Sequence, residues 1–167
     1  MCSSDLKFIL LQLLTALALI VLIFVYLWTF AASSKIVKPL FHDGDTFKLY
    51  DSSLNKNVSY RIMNIDCPEL KQFYGINARD SIQKLFYTSN FRINKVHIDR
   101  YNRILCEVFI DDKRIDSIIV ANGWGYVYPK YCNYQKLYLI QNYAKSKQKG
   151  VWMYSNLKLP WDFRHNN

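Results

Sequence analysis

The stretch Tyr60–Glu69, YRIMNIDCPE, carries most of what the sequence discloses about the fold and its use. It lies within and just beyond Val58–Ile65, which reads as a strand because it is rich in β-branched and aromatic residues. Pro68 cannot donate to a sheet ladder, so the strand must end before it. Arg61 sits in this otherwise buried strand, and burying a guanidinium is costly unless it is paired or faces a site. Arg61 and Asp66 have opposite parity along a regular strand and would point to opposite sides. They converge only if the chain bends before Asp66.

Upstream, Ile36–Phe41 and Thr46–Tyr50 are two more strand-like runs, and the turn-forming HDGD (42–45) and DSSLNKN (51–57) join the three into a meander. Pro39 confines the first to a sheet edge. Downstream, Asn77–Tyr87 places Ala78, Ile82, Leu85 and Phe86 on one helical face. Ile93–Ile98 and Ile104–Ile110 read as strands joined by DRYNR (99–103), and Asp111, Asp112 and Lys113 form a tight turn. Asp116–Asn122 is a short helix stopped by Gly123, and Tyr134–Lys149 a longer one with Leu137, Ile140 and Ala144 inward and Gly150 past its end. The expected class is α+β: a five-stranded barrel with about three helices and no internal repeat.

The first fifth of the chain is different. Phe8–Ala32 carries no charge and is interrupted only by Gln12, Thr15 and Thr29. A helix needs about 20 apolar residues to cross a hydrocarbon core of roughly 30 Å. The segment 8–32 is therefore expected to be a single transmembrane helix after a short tail, 1–7, with Tyr26 and Trp28 near its downstream interface. A cleaved secretory signal is the alternative, because Ala31, Ala32, Ser33 and Ser34 suit a peptidase. Lys7 lies on one side and Lys35 and Lys38 on the other, so orientation is weakly coded. The formal charge is +9 and belongs to the downstream domain, since Asp5 and Lys7 cancel. Hydrophobic residues make up 51% of the chain, with 4 Trp, 13 Tyr and 10 Phe, which excludes a disordered chain.

Cys2, Cys67, Cys106 and Cys132 form no CxxC pair, so a structural zinc site is not expected. Cys106 is in phase with Ile104, Val108 and Ile110 and reads as a small core residue. A Cys67–Cys132 disulfide is open in an oxidising compartment. His42, His97 and His165 share no motif and read as structural or exposed.

HDGDTF (42–47), YRIMNIDCPE and DRYNR together supply the parts for metal-assisted phosphodiester hydrolysis. Asp45 and Asp66 are hard oxygen ligands for a divalent ion such as calcium. Glu69 is a carboxylate able to take a proton from an attacking water. Arg61 and Arg103 can grip a phosphate and stabilise charge that develops in the transition state.

Seven landmarks, DGDTFKL, YRIMNIDCPE, YGINA, DRYNRIL, NGWGYVY, AKSKQKGVW and PWDFR, occur in an order that resembles the staphylococcal (micrococcal) nuclease family over residues 36–164. The resemblance implies an OB-fold barrel and a calcium-dependent nuclease acting on DNA and RNA. It places the calcium carboxylates on Asp45 and Asp66, a carbonyl ligand on Cys67, and the catalytic set on Arg61, Glu69 and Arg103. It also places nucleotide contacts on Arg100, Tyr101 and Tyr128. Cys67 stands where the family archetype has Thr, and the loop between Glu69 and Tyr74 is shorter. Since only the carbonyl of residue 67 is used, that exchange preserves the ligand. The +9 charge suits a polyanionic substrate and equally an anionic membrane surface.

The expectation is thus a nuclease anchored in a lipid bilayer through residues 8–32, with DNA or RNA as substrate and no protein partner implied. A non-catalytic nucleic-acid-binding module on the same barrel is the alternative. A membrane adaptor has nothing beyond the anchor to favour it.

Overall fold

A computed structural model describes residues 3–32, 38–52, 54–155 and 157–165. The chain divides into two units, Met1–Ile36 and Val37–Asn167. Among its described residues the first holds one helix, α1 (Ser3–Ala32), of 30 residues. Its side chains at 9 and 11–27 are all exposed. Among the described residues no helix is long and apolar enough to cross a membrane.

Among its described residues the second unit has eight strands: β1 (Leu40–Phe41), β2 (Thr46–Asp51), β3 (Lys56–Ile62), β4 (Ile65–Asp66), β5 (Phe91–Ile98), β6 (Ile104–Ile110), β7 (Lys113–Arg114) and β8 (Tyr126–Val127). Its helices are α2 (Gly75–Thr88), α3 (Ile115–Ala121), α4 (Lys136–Ser146) and α5 (Pro160–His165), with a 3-10 turn at Gly150–Met153. The main sheet runs β1-β2-β3-β6-β5, with β7 added to β6, and a separate pair joins β4 to β8. All of its neighbours are antiparallel except β3 and β6, where Tyr60, Arg61 and Ile62 pair in parallel with Ile104, Leu105 and Cys106. This five-strand path is consistent with an OB-like fold.

The closed barrel expected from the sequence is not formed among the described residues, where the path ends openly at β1 and β5. β1 is two residues long and follows Pro39, which has no N–H to offer a further strand. The expected strand Ile36–Phe41 reduces to Leu40–Phe41; Ile36 and Val37 lie outside the described residues. The expected strand Val58–Ile65 breaks after Ile62, and its last residue opens β4 instead. α4 stops at Ser146 rather than Lys149 because Gln148 takes a left-handed φ of 49°. Among the described residues the domain holds four α-helices where about three were expected, since the six-residue α5 is too short for a periodic pattern.

The core forms where the apolar face of the sheet meets α2, α3 and α4. Phe47 packs against Phe41, Tyr60 and Phe86 with ring centroids 5.1, 5.4 and 5.4 Å away. Ala78, Ile82 and Phe86 supply the buried face of α2, as their spacing predicts. Ile115, Ile119 and Val120 of α3 and Leu137 and Ala144 of α4 extend the core. Fully buried side chains of this size each contribute about 1.5–3 kcal/mol relative to exposure. Cys106 is fully buried, and Cys67 and Cys132 are free thiols, so the disulfide is not formed.

Candidate active site

Three chain segments meet at one end of the main sheet. β2 pairs with β3 in the register Thr46↔Arg61, which sets the HDGD loop opposite the end of β3. The Ile62 N–H donates to the Asp45 carbonyl at 2.8 Å and locks the loop there. Gly44 then backs onto Cys67: a Cβ at Gly44 would fall 2.7 Å from Cys67 Cβ. Any larger residue at 44 would push the Asp45 loop away from the Asp66–Cys67 segment.

The bend that parity demanded occurs at Met63–Asn64. Asn64 takes a left-handed φ of 70°, a conformation that Asn tolerates better than most residues. Its side chain is bolted in place: Nδ2 donates to Asp116 Oδ2 at 3.0 Å, and Oδ1 accepts from the Asn133 N–H at 3.1 Å. Past this bend, Asp66 turns back toward Arg61. Arg61 Nη2 donates to Asp66 Oδ1 at 2.9 Å and to the Ile65 carbonyl at 3.3 Å, while Nη1 pairs with Asp45 Oδ1.

Asp45 and Asp66 are only 2% and 1% exposed, so the dielectric around them is low and their charges need partners. Asp45 Oδ2 also accepts from the Cys67 N–H at 2.8 Å, and Oδ1 from the Thr46 hydroxyl at 3.0 Å. Asp43 Oδ1 accepts from the N–H groups of Asp45 and Thr46 at 3.1 and 2.7 Å, closing the HDGD turn. Burial, and then the neighbouring Asp45 charge, push Asp43 up to about 8. The same two causes raise Asp66, against the pull of Arg164 and Arg61. Burial works against the Arg61 charge, but Asp45 and Asp66 outweigh it and hold the guanidinium above its ordinary value. Burial, then the Asp45 charge, push the Cys67 thiol well up.

Glu69 lies on the loop after Pro68. It comes to the same place through a residue to which the sequence reading assigned no role. Arg164, on α5, donates from Nη1 to Glu69 Oε1 at 2.6 Å and from Nη2 to Asp66 Oδ2 at 2.6 Å. Gly75 fixes the other end of this loop, since a Cβ there would sit 1.9 Å from the Glu69 carbonyl oxygen.

Arg103 does not join this ionic network. It stands just before β6, beside β3, and its Nε and Nη2 engage Asp99 Oδ2 at 2.9 and 2.8 Å. Tyr101 is 64% exposed, and the guanidinium carbons of Arg100 and Arg103 lie 4.8 and 5.3 Å from its ring centroid. Tyr128 is different: Trp161 stacks on its ring at 5.3 Å and 10°, so one face is covered while α5 is docked. His42, His97 and His165 are exposed and take no part.

Two members of the constellation were missed. Asp43 lies in the motif singled out from the sequence, and its two-residue spacing from Asp45 was a usable signal. Arg164 carried no such signal, being separated from Glu69 by 95 positions.

Among the described residues, no group of three or more His, Cys, Asp or Glu is assembled to hold a metal. The chemistry of the donors nevertheless suits a hard cation, since Asp45 and Asp66 offer buried carboxylate oxygens beside Asp43. A divalent ion would relieve the like-charge repulsion that raises Asp43 and Asp66.

Comparison with known proteins identifies the family. The profile of the staphylococcal nuclease homologue family matches residues 59–154. An "uncharacterized endonuclease" of Escherichia coli is 32% identical over 147 residues, which cover 86% of this chain and 94% of that protein. One of the same name from Haemophilus influenzae is 31% identical over 123 residues, 73% of this chain and 68% of the relative. The staphylococcal-like nuclease CAN1 of Arabidopsis thaliana is 29% identical over 113 residues, 68% of this chain and 35% of the plant protein. The chain belongs to the staphylococcal nuclease family and is by class a nuclease hydrolase.

Proposed function

We propose that the protein is a calcium-dependent nuclease of low sequence specificity, hydrolysing phosphodiester bonds of DNA and RNA and tethered to a lipid bilayer through residues 8–32. The observation that carries the catalytic part is the meeting of Asp45 and Asp66 on one guanidinium, that of Arg61, with Glu69 joined to Asp66 through Arg164. A merely structural surface would not bury two carboxylates at such cost.

In this reading Asp45, Asp66 and the Cys67 carbonyl hold calcium, which when bound supplies Lewis-acid stabilisation of phosphoryl charge. Glu69 takes the proton of the attacking water, a contribution typically worth about 100- to 10,000-fold. Its Oε1 is engaged by Arg164, which leaves Oε2 as the acceptor. Arg61 and Arg103 bind the phosphate oxygens and stabilise the charge they gain in the transition state. Arg103 is suited to this because its present partner, Asp99, belongs to the same loop and lies outside the buried acid cluster. Arg100 and Tyr101 extend the phosphate and base contacts on the exposed side of that loop. The +9 charge favours any polyanion, because neutralised phosphates release counterions whatever the base sequence.

The tether rests on the uncharged run 8–32 and on the exposed apolar side chains of α1 from Leu11 to Leu27. Such a surface is unfavourable in water and favourable in hydrocarbon.

The test is to incubate the full chain, in detergent, with single-stranded DNA or RNA in calcium or in chelator. Cleavage in calcium alone is expected. Persistent cleavage in chelator would refute the calcium requirement, and binding without cutting under both conditions would favour the non-catalytic module. Flotation with liposomes at high pH and high salt tests the tether, which fails if the protein stays at the bottom of the gradient.

A further inference from the structure

We propose that Arg164 is a positioning residue of this site: it holds the Glu69 carboxylate beside Asp66, leaving Glu69 Oε2 to accept the proton. The proposal rests on the assignment of Glu69 as proton acceptor made above, and adds the device that aims it.

A glutamate on a loop has several rotatable bonds, and a proton acceptor misplaced by about 1 Å can lose about 100-fold in rate. The Glu69 side chain is 27% exposed, and among the described residues its carboxylate is held by the ion pair to Arg164. The same guanidinium is anchored on a buried carboxylate, sharing Nη1 between Glu69 and Asp66. Arg164 grips Asp66 with two bonds, Nη2 to Oδ2 at 2.6 Å and Nη1 to Oδ1 at 3.2 Å. Asp66 is itself 1% exposed and held by Arg61. Glu69 is therefore referenced, through one planar group, to the most deeply fixed carboxylate of the site. A lone surface ion pair would do little, whereas a bidentate one with a buried end fixes direction as well as distance.

The segment carrying Arg164 is docked independently. Trp161 stacks on Tyr128 and meets Tyr126 edge-on at 6.3 Å and 77°. The Lys158 carbonyl accepts from Gln72 Nε2 at 3.0 Å, and Gln72 Oε1 accepts from the Glu69 N–H at 2.8 Å. The backbone and the side chain of Glu69 are thus both tied to residues 158–164. The last helix completes the site rather than merely following it.

The experiment is a double-mutant cycle on the full chain in detergent with calcium: Arg164→Ala, Glu69→Gln and the pair, with Arg164→Lys as the conservative variant. Arg164→Ala is expected to lower kcat by about 10- to 100-fold with KM within about threefold, since orientation of the reacting group is lost and substrate binding is not. Arg164→Lys should regain part of the rate, because an ammonium can still donate to both carboxylates. In the Glu69→Gln background, adding Arg164→Ala should change kcat by less than about threefold, as expected of residues acting as one unit. The melting midpoint of the metal-free protein should fall, because buried Asp66 loses two donors, whereas calcium affinity measured by calorimetry should not fall, because the cation removed stood beside a ligand carboxylate. A normal kcat in Arg164→Ala beside a crippled Glu69→Gln overturns the positioning role alone. So do fully multiplicative effects in the pair, or a loss of calcium affinity that accounts for the slower rate. Normal cutting by Glu69→Gln overturns the proton-acceptor assignment itself, and this proposal with it.

Discussion

The two arginines assigned to phosphate sit in opposite surroundings. Arg61 is 12% exposed and tied to two buried carboxylates, Asp45 of the HDGD loop and Asp66 of β4, whereas Arg103 is 27% exposed and tied to one acid of its own loop. The first belongs to the architecture as much as to the chemistry, because removing it takes the cation from buried Asp45 and leaves Asp66 with Arg164 alone. The second is held by a local turn: Asp99 Oδ1 accepts from the N–H groups of Tyr101 and Arg103 at 2.9 and 3.0 Å. Stability and activity should therefore respond together at Arg61 and separately at Arg103.

Breaking that contrast begins with Arg61→Ala. Loss of one member of a buried ion network typically costs about 3–5 kcal/mol, so denaturant melts of the metal-free protein should show a loss of that order alongside a nearly inactive enzyme. A stable Arg61→Ala variant would mean that Asp45 and Asp66 are neutralised some other way. Arg103→Ala should slow cleavage by at least about 100-fold with less than about 1 kcal/mol lost, since its ion pair is close to the surface. Glu69→Gln should likewise slow cleavage by at least about 100-fold. Near-normal turnover in either would remove that residue from the reaction.

Asn64→Ala addresses the bend that brings Arg61 and Asp66 together. A left-handed conformation costs alanine about 1–2 kcal/mol, and the lost bond leaves Asp116 one donor short. Both stability and rate should fall, with Asn64→Gly recovering the conformational part only. If Asn64→Ala matches the parent in melting and turnover, the bend is held by its neighbours alone.

The smallest effect concerns pH at the Arg103 loop. Burial raises Asp99 somewhat, but bonds from the Arg103 N–H, the Arg103 guanidinium and the Tyr101 N–H outweigh it and hold the carboxyl below its usual value. A depressed acid stabilises the fold above its unfolded pKa of about 3.9 and loses that contribution as pH falls through the folded value. Asp99→Asn should therefore flatten the acid limb of the melting curve slightly, and an unchanged limb would show that the loop contributes nothing to it.

Much of this was legible in the chain. β6 was read residue for residue as Ile104–Ile110, because alternation over seven positions is a clear signal. The bend before Asp66 followed from counting: two residues of opposite parity can share a site only if the strand breaks between them. The two-residue strands β7 and β8 and the six-residue α5 were not legible, since such elements lack the length for any period to show. Barrel closure was expected both from the strand pattern and by resemblance, yet β1 is too short and too close to Pro39 to complete a ladder.

The amino-acid order alone determined which groups exist and how far apart they can lie within one segment: the acids of HDGD and IDCPE, the arginines at 61 and 103, and the uncharged run 8–32. Those properties are local, set by backbone geometry over a few residues and by the free energy of transferring side chains from water. Only the tertiary structure decided that Arg61 serves two aspartates at once and that Arg164 joins Asp66 to Glu69. Such pairings depend on strand register, on one left-handed residue and on the docking of the last helix. Their energies arise from contacts up to 98 positions apart, where no local pattern can register them.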